Sequence, residues 1–290
     1  MEGDLSEMLS VIYEDMDVIV VRKPAGVEAQ AARGFERDMV SEIRRYLSSP
    51  QDIHKLATGK STRGTGGQPP YVGVIHRLDK PVSGVMVYGK NQRASGALSA
   101  GLQAGKMEKW YRAVVCGKPV DNQGEYVDYL RQDRKNNRSE IVDKSVGESK
   151  KAVLRYRVLE VIHREVMGVD RECSLVEIQL LTGRHHQIRV QFAGHGTPLL
   201  GDERYGRGWA QGRKQESEMS EQDVRSAAGE EWFGMREEIG DYAKKQAPRR
   251  EARLPLALCA CRLAFLHPVS GKRMEFEIKP EGGAFEWFTV

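Results

Sequence analysis

YVGVIHRLDKPVSGVMVYGKN, residues 71–91, sets two apolar runs, Tyr71 to Ile75 and Val85 to Tyr88, on either side of a polar segment. Pro81 and Ser83-Gly84 fall in that segment, and Lys80 precedes a proline, which disfavours helical φ/ψ there. The pattern is strand, irregular loop, strand, with His76, Arg77 and Asp79 in the loop. Arg77 and Asp79 are two apart, so in extended chain both point the same way. Loops held by a rigid sheet often carry catalytic side chains. The plainer alternative is a local salt bridge that closes the loop.

Upstream, VIYEDMDVIVVRKPAG (residues 11–26) predicts a turn over Tyr13 to Asp17 and a buried strand from Val18 to Val21, ended by Lys23-Pro24-Ala25-Gly26. Residues 36–47 place Met39, Val40, Ile43 and Leu47 at helical spacing, with Asp38 or Glu36 near the N-terminal end. Residues 48–70 are rich in Gly, Ser, Thr and Pro and predict a loop. Downstream, a helix is expected from Gln92 to Ala104, and strands over 109–116, 152–162 and 174–181. A short helix follows directly from the last of these and stops at Gly194 to Gly196 before Pro198. CRLAFLHPVSGKRMEFEI predicts a hairpin turning at Pro268 to Gly271. Residues 207–253 hold 10 basic and 10 acidic side chains and read as a charged, partly helical surface insertion. Strands outnumber helices without alternating strictly with them, which points to an α+β fold built on a large mixed sheet.

The length of 290 residues is enough to bury a core without a disulfide or metal staple. Cys116, Cys173, Cys259 and Cys261 include no CxxC pair, which argues against a zinc ribbon or disulfide framework and for a reducing cytoplasm. The opening MEGDLSEMLS lacks the basic and apolar regions of a signal peptide, and no run approaches the ~18 apolar residues of a membrane span. No GxxxxGK[ST], GxGxxG or HExxH occurs, which disfavours nucleotide-driven motors, dinucleotide enzymes and zincins. Net charge is +4 but uneven: residues 1–50 carry 6 basic and 10 acidic side chains, and residues 51–150 carry 17 and 10. That second segment would steer a polyanion, although on charge alone a solvated lysine-rich surface is the simpler account.

Two further clusters could carry chemistry. In Thr182-Gly183-Arg184-His185-His186-Gln187-Ile188-Arg189, Arg184 stands at a strand-to-helix junction, and a histidine and Arg189 fall one turn apart. The adjacent histidines invite a metal, but neighbours on a helix diverge by about 100° and no other ligand stands nearby at metal spacing. Phosphate binding at a helix start, or pairing with a distant carboxylate, suits the cluster better. In Lys109-Trp110-Tyr111, Lys109 and Tyr111 share a strand face, where they can hold a phosphate and stack on a base, or serve as surface lysine and core tyrosine.

Taken in order and spacing, VIYEDMDVIVVRKPAG, HRLDKPVSGVMVYGKN, KWYRAVV, LLTGRHHQIRVQFAGHGTPLLGDERYG and LAFLHPVSG resemble the RluA-type RNA pseudouridine synthases. The resemblance spans nearly the whole chain except residues 207–253 and part of 48–70. It implies the pseudouridine synthase catalytic fold, a large, mostly antiparallel mixed β-sheet with flanking helices and an RNA-binding cleft. It implies Asp79 as catalytic aspartate, Tyr111 as the tyrosine stacked on the target uracil, and Arg189 as the arginine that pairs with the aspartate. Arg77 resembles the residue that holds the flipped-out site open, and His76, Lys109, Arg184, His186 and Gln187 are expected to contact RNA.

Isomerising uridine breaks the C1′–N1 bond, turns the uracil and joins C5 to C1′. A carboxylate can attack C1′, take the C2′ proton or stabilise an oxocarbenium-like state, and the residues leave all three open. Tyr111 would retain the detached uracil and could help remove the C5 proton. The target base leaves its stack at a cost of a few kcal/mol. No metal, nucleotide cofactor or redox group is required, and a cytoplasmic monomer acting on ribosomal or transfer RNA is expected. Gln191 stands where many relatives have histidine. The catalytic domain starts by about residue 11, so a single domain over 1–290 is expected, with no separate N-terminal RNA-binding module. The competing expectations are an RNA-binding assembly factor or chaperone of the same fold and, less well supported, a metal-dependent nuclease using His185 and His186.

Overall fold

The computed structural model describes residues 9–31, 38–48, 69–166, 169–206 and 254–289. The expected 207–253 insertion and most of the 48–70 loop lie outside the described residues. Along the chain run β1 (Ser10–Glu14), β2 (Val18–Lys23), α1 (Met39–Ser48), β3 (Gly73–Val74), β4 (Ser83–Gly89), α2 (Gln92–Gln103), β5 (Glu108–Cys116), β6 (Gln123–Asp133) and β7 (Arg138–Val142). β8 (Lys150–Val166), β9 (Val169–Leu180), α3 (Gln187–Gly194), β10 (Leu258–Leu266), β11 (Arg273–Glu277) and a 3-10 turn (Gly283–Trp287) follow.

The eleven strands form one sheet in the order β1-β2-β4-β10-β5-β9-β8-β6-β7, with β11 paired to β10 and β3 to β4. Among the described residues β4 and β10 run parallel, and every other strand pairing is antiparallel. This is the expected α+β class. The expected turn over Tyr13 to Asp17 is shorter than its reading: Tyr13 and Glu14 belong to β1 and pair with Val20 and Ile19. Asp15 closes that turn by accepting from the Asp17 and Val18 amides, so only three residues separate the strands.

Two cores form because the central strands bury both faces. In β2, Ile19 and Val21 enter one cluster with α1 and α3, while Val18 and Val20 enter the opposite one with Leu98 of α2. All four are fully buried, each contributing about 1.5–3 kcal/mol as an upper bound. α1 starts where Asp38 accepts from the Ser41 amide, and α2 where Asn91 accepts from the Ala94 amide. Both caps halt the backbone where the sequence pattern placed helix starts.

The parallel β4–β10 contact requires a glycine. Gly84 has φ +145°, and a Cβ there would stand 2.5 Å from both the Cβ and the carbonyl oxygen of Ala260. Gly84 therefore lets β10 close against the strand that follows the HRLD loop. Among the described residues no helix is long and apolar enough to cross a membrane.

Candidate active site

Side chains of the first core face open into a cleft of about 1880 Å³ whose lining includes Arg77, Asp79, Tyr111, His186, Arg189 and Arg204. Among the pieces of chain that converge on it are the loop between β3 and β4, the start of β5, the turn into α3, the 199–206 loop and the β6–β7 hairpin.

The first loop is held from below. Lys23, at the end of β2, is fully buried, and its ammonium donates to the carbonyls of Pro24, Val27 and Lys80 at 2.9, 2.6 and 3.2 Å. Burial lowers its pKa to about 8, opposed by Glu28 and Asp79, and three carbonyls offset part of the cost of burying the charge. The Gly26 amide also donates to the Lys80 carbonyl, and the Val82 amide to that of Asp79. His76 Nε2 accepts from the Val87 amide at 3.3 Å. Burial, and then the Lys109 charge, pushes that imidazole down to about 3, so it is neutral. His76, expected to contact RNA, thus ties the loop to β4 through Nε2 while lining the cleft. With the backbone fixed on three sides, the Asp79 side chain rises into the cleft 32% exposed.

Arg189 lies beneath it on α3, and its fork points elsewhere. Nε and Nη2 donate to the two oxygens of Asp202 at 2.7 and 2.8 Å, while Nη1 reaches Asp79 Oδ2 at 3.5 Å. Asp202 is completely buried, and its other donors are the Arg204 and Tyr205 amides. Burial opposes ionisation of Asp202, but the Arg189 hydrogen bond and charge outweigh it and hold the carboxyl below its ordinary value. The arginine expected to pair with Asp79 is therefore bidentate to Asp202 and reaches Asp79 with its remaining nitrogen. Gly201 sets this loop: at φ +77° its missing Cβ leaves room for the Pro255 carbonyl.

His186 adopts the left-handed conformation, φ 52° and ψ 24°, at the start of α3. Its Nδ1 meets Tyr205 Oη at 2.8 Å, and its Nε2 stands 3.6 Å from Asp79 Oδ2. His185 stacks on it at 3.7 Å, with Nδ1 against Ser139 Oγ and Nε2 against Asn137 Oδ1. Both nitrogens of His185 are thus taken by the β6–β7 hairpin, which does not suit a metal ligand.

Gln187 is placed differently from its expected role. Its Oε1 accepts from Thr182 Oγ1 and the Arg184 amide, and its Nε2 donates to Val153 and Gln191. With all its capacity used inside the protein, Gln187 holds the strand-to-helix turn instead of contacting RNA. Gln191 is likewise buried against the Tyr126 carbonyl and Asp128.

On β5, Tyr111 is buried and packs in the cleft-side core. Burial, and after it the charge of Asp79, pushes its phenol above the ordinary value, so it is protonated at neutral pH. Lys109 shares that face, and burial followed by the Arg184 charge lowers its pKa. Its ammonium would stand 3.4 Å from a Cβ at Gly183, which places it beside Arg184 at the cleft wall. Arg184 is exposed with Nε donating to the Lys151 carbonyl, and Arg77 is exposed at the mouth. The structure therefore gathers Asp79, Tyr111, Arg189, His186, Lys109, Arg184 and Arg77 around one cleft. Lys23, Asp202 and Tyr205 were not singled out from sequence, although the GDERYG string that carries the last two was visible.

Comparison with known proteins agrees with this layout. A model of RNA pseudouridylate synthase matches residues 17–194, more than half the chain. The ribosomal large subunit pseudouridine synthase D of Zymomonas mobilis is 30% identical over 270 residues, 93% of this chain and 68% of that protein. The protein of the same description from Neisseria meningitidis is 32% identical over 270 residues, covering 57% of its length. The chain thus spans between about half and two thirds of these relatives. Human RNA pseudouridylate synthase domain containing 1 shares the fold, with a TM-score of 0.60 at 19% identity over 97% of this chain and 86% of that one. On these matches, this chain belongs to the RNA pseudouridylate synthase family.

Proposed function

We propose that this chain isomerises a uridine of structured RNA to pseudouridine, with Asp79 as the carboxylate that acts at the sugar. The observation that carries the reading is the contrast around Asp79. Its backbone is fixed through the Val82 amide and through the neighbouring Lys80 carbonyl held by Lys23 and the Gly26 amide, yet its oxygens face an open cleft with Arg189 only at the 3.5 Å limit of hydrogen bonding and His186 just beyond it.

A uridine turned out of its stack would place its base on Tyr111 and its sugar over Asp79. Breaking C1′–N1 and joining C5 to C1′ leaves the C5 proton to be lost to solvent and N1 to gain one, so the nucleoside keeps its composition while its C5 hydrogen is released. The neutral Tyr111 phenol retains the detached uracil by its ring face, and Arg189, immobilised by Asp202, supplies positive charge beside the carboxylate. Lys109 and Arg184 at the wall and Arg77 at the mouth suit the phosphates flanking the target. Relatives described as ribosomal large subunit synthases make ribosomal RNA the first pool to try, ahead of transfer RNA.

The test is to incubate the protein with both pools from a strain that makes no pseudouridine, then map carbodiimide adducts by reverse-transcription stops. New stops at one or a few uridines are expected. RNA binding without new stops in either pool would overturn the reading and favour an RNA-binding assembly factor.

A further inference from the structure

We propose that His186 is a positioning residue for Asp79: a neutral imidazole, oriented by Tyr205, whose Nε2–H donates to Asp79 Oδ2 once RNA fills the cleft. The proposal rests on the reading of Asp79 as the working carboxylate.

A short chain of groups fixes where the protons sit. The Ser139 amide donates to Tyr205 Oη at 2.9 Å. A phenol oxygen that accepts there is free to donate its own hydrogen, and the neighbouring atom is His186 Nδ1 at 2.8 Å. An imidazole that accepts at Nδ1 carries its hydrogen on Nε2. That nitrogen faces Asp79 Oδ2 at 3.6 Å, slightly beyond hydrogen-bond reach. Such contacts in an unliganded site tighten when substrate arrives.

Three features hold the ring in this pose. The left-handed backbone at His186, uncommon for a residue other than glycine, turns the side chain back from α3 toward the loop. His185 stacks on one face and is itself pinned by Ser139 and Asn137. Tyr205 stands edge-on at 5.7 Å between the ring and Arg189, whose guanidinium lies 5.2 Å from the tyrosine centroid. Burial, followed by the repulsion of Arg189, His185 and Arg204, keeps the imidazole neutral against the pull of Asp79. A second full positive charge beside Asp79 is thereby avoided, and a directional donor is kept.

The experiment pairs kinetics with a tautomer measurement on the full chain. His186→Leu should lower kcat by about 10- to 100-fold, the scale of a misplaced reacting group, with KM for RNA within about twofold. His186→Gln, whose amide nitrogen can occupy the Nε2 position, should recover most of that loss. Nitrogen NMR of the wild type should show the Nε2–H tautomer at neutral pH, and Tyr205→Phe should lose that preference. A His186→Leu kcat within twofold of wild type overturns the proposal, as does a folded His186→Gln as slow as His186→Leu, or a wild-type Nδ1–H tautomer or imidazolium. Should His186→Leu fail to fold, the wild-type tautomer and the Gln variant decide. Full activity of Asp79→Asn would remove the reading of Asp79 and the proposal together. An inactive Asp79→Asn beside an unaffected His186→Leu would remove the proposal alone.

Discussion

Asp15 and Asp79 each face a histidine, and their surroundings differ. At the β1–β2 turn, Asp15 accepts from the Asp17 and Val18 amides and Tyr13 Oη at 2.8 Å, and His267 Nε2 lies 2.9 Å from it. His267 Nδ1 faces the amides of Val269 and Ser270, so its hydrogen sits on Nε2 and is donated to Asp15. In the cleft, Asp79 faces His186 Nε2 at 3.6 Å and Arg189 Nη1 at 3.5 Å. The residue types and the tautomer match. The difference is saturation: the first carboxylate is fully committed to tying β10–β11 to β1, whereas the second has one guanidinium at the 3.5 Å limit of hydrogen bonding and a histidine just beyond it. A saturated carboxylate is scaffold, and an unsaturated one over a fixed backbone is available to a substrate.

The comparison can be broken at several places. The largest loss of stability is expected at Asp202, the buried partner of Arg189. Asp202→Ala leaves a buried guanidinium without its bidentate acceptor and should cost about 3–5 kcal/mol in urea unfolding, with activity lost alongside. Asp15→Ala removes the acceptor of four donors and should cost about 2 kcal/mol while leaving kcat unchanged, which separates scaffold from site. Burial raises the Asp15 pKa, but the Val18 and Asp17 amides outweigh it and hold the carboxyl below its ordinary value. Its contribution is therefore present above the unfolded pKa of about 3.9 and is lost as pH falls through the lower folded value. Stability measured from pH 6 down to pH 2 should show a shallower acid slope in Asp15→Ala than in wild type. The smallest change is at Arg77, exposed at the cleft mouth. Arg77→Ala should leave stability unchanged, weaken RNA binding by roughly tenfold and reduce the salt slope of binding by about 1.

What the sequence made legible was local. The β-branched run of Val18 to Val21 and the helical spacing of Met39, Val40 and Ile43 appear in the structure close to their expected bounds, and the strand-loop-strand of residues 71–91 appears with its first strand cut to Gly73–Val74. β6 and β7 were not anticipated, because Gln123–Asp133 mixes charged with small and aromatic residues, and its place between β8 and the edge strand β7 is set by register. The core of the cleft was legible as Asp79, Tyr111 and Arg189. The partners that aim it were not, because Lys23 lies 57 residues from the carbonyl it holds, and Asp202 lies 13 residues past Arg189 in an irregular loop. Gln187 was misread for the same reason: its neighbours along the chain suggested RNA, while Val153 on β8 uses its amide.

The most direct test of the account follows tritium released from uridine C5 in bulk ribosomal and transfer RNA, comparing wild type with Asp79→Asn. The asparagine keeps the shape and the Lys23-held backbone, so folding and RNA binding should persist. The account predicts release by wild type and a fall of at least about a thousandfold in the variant. Comparable release by both would contradict it, leaving Asp79 as scaffold like Asp15.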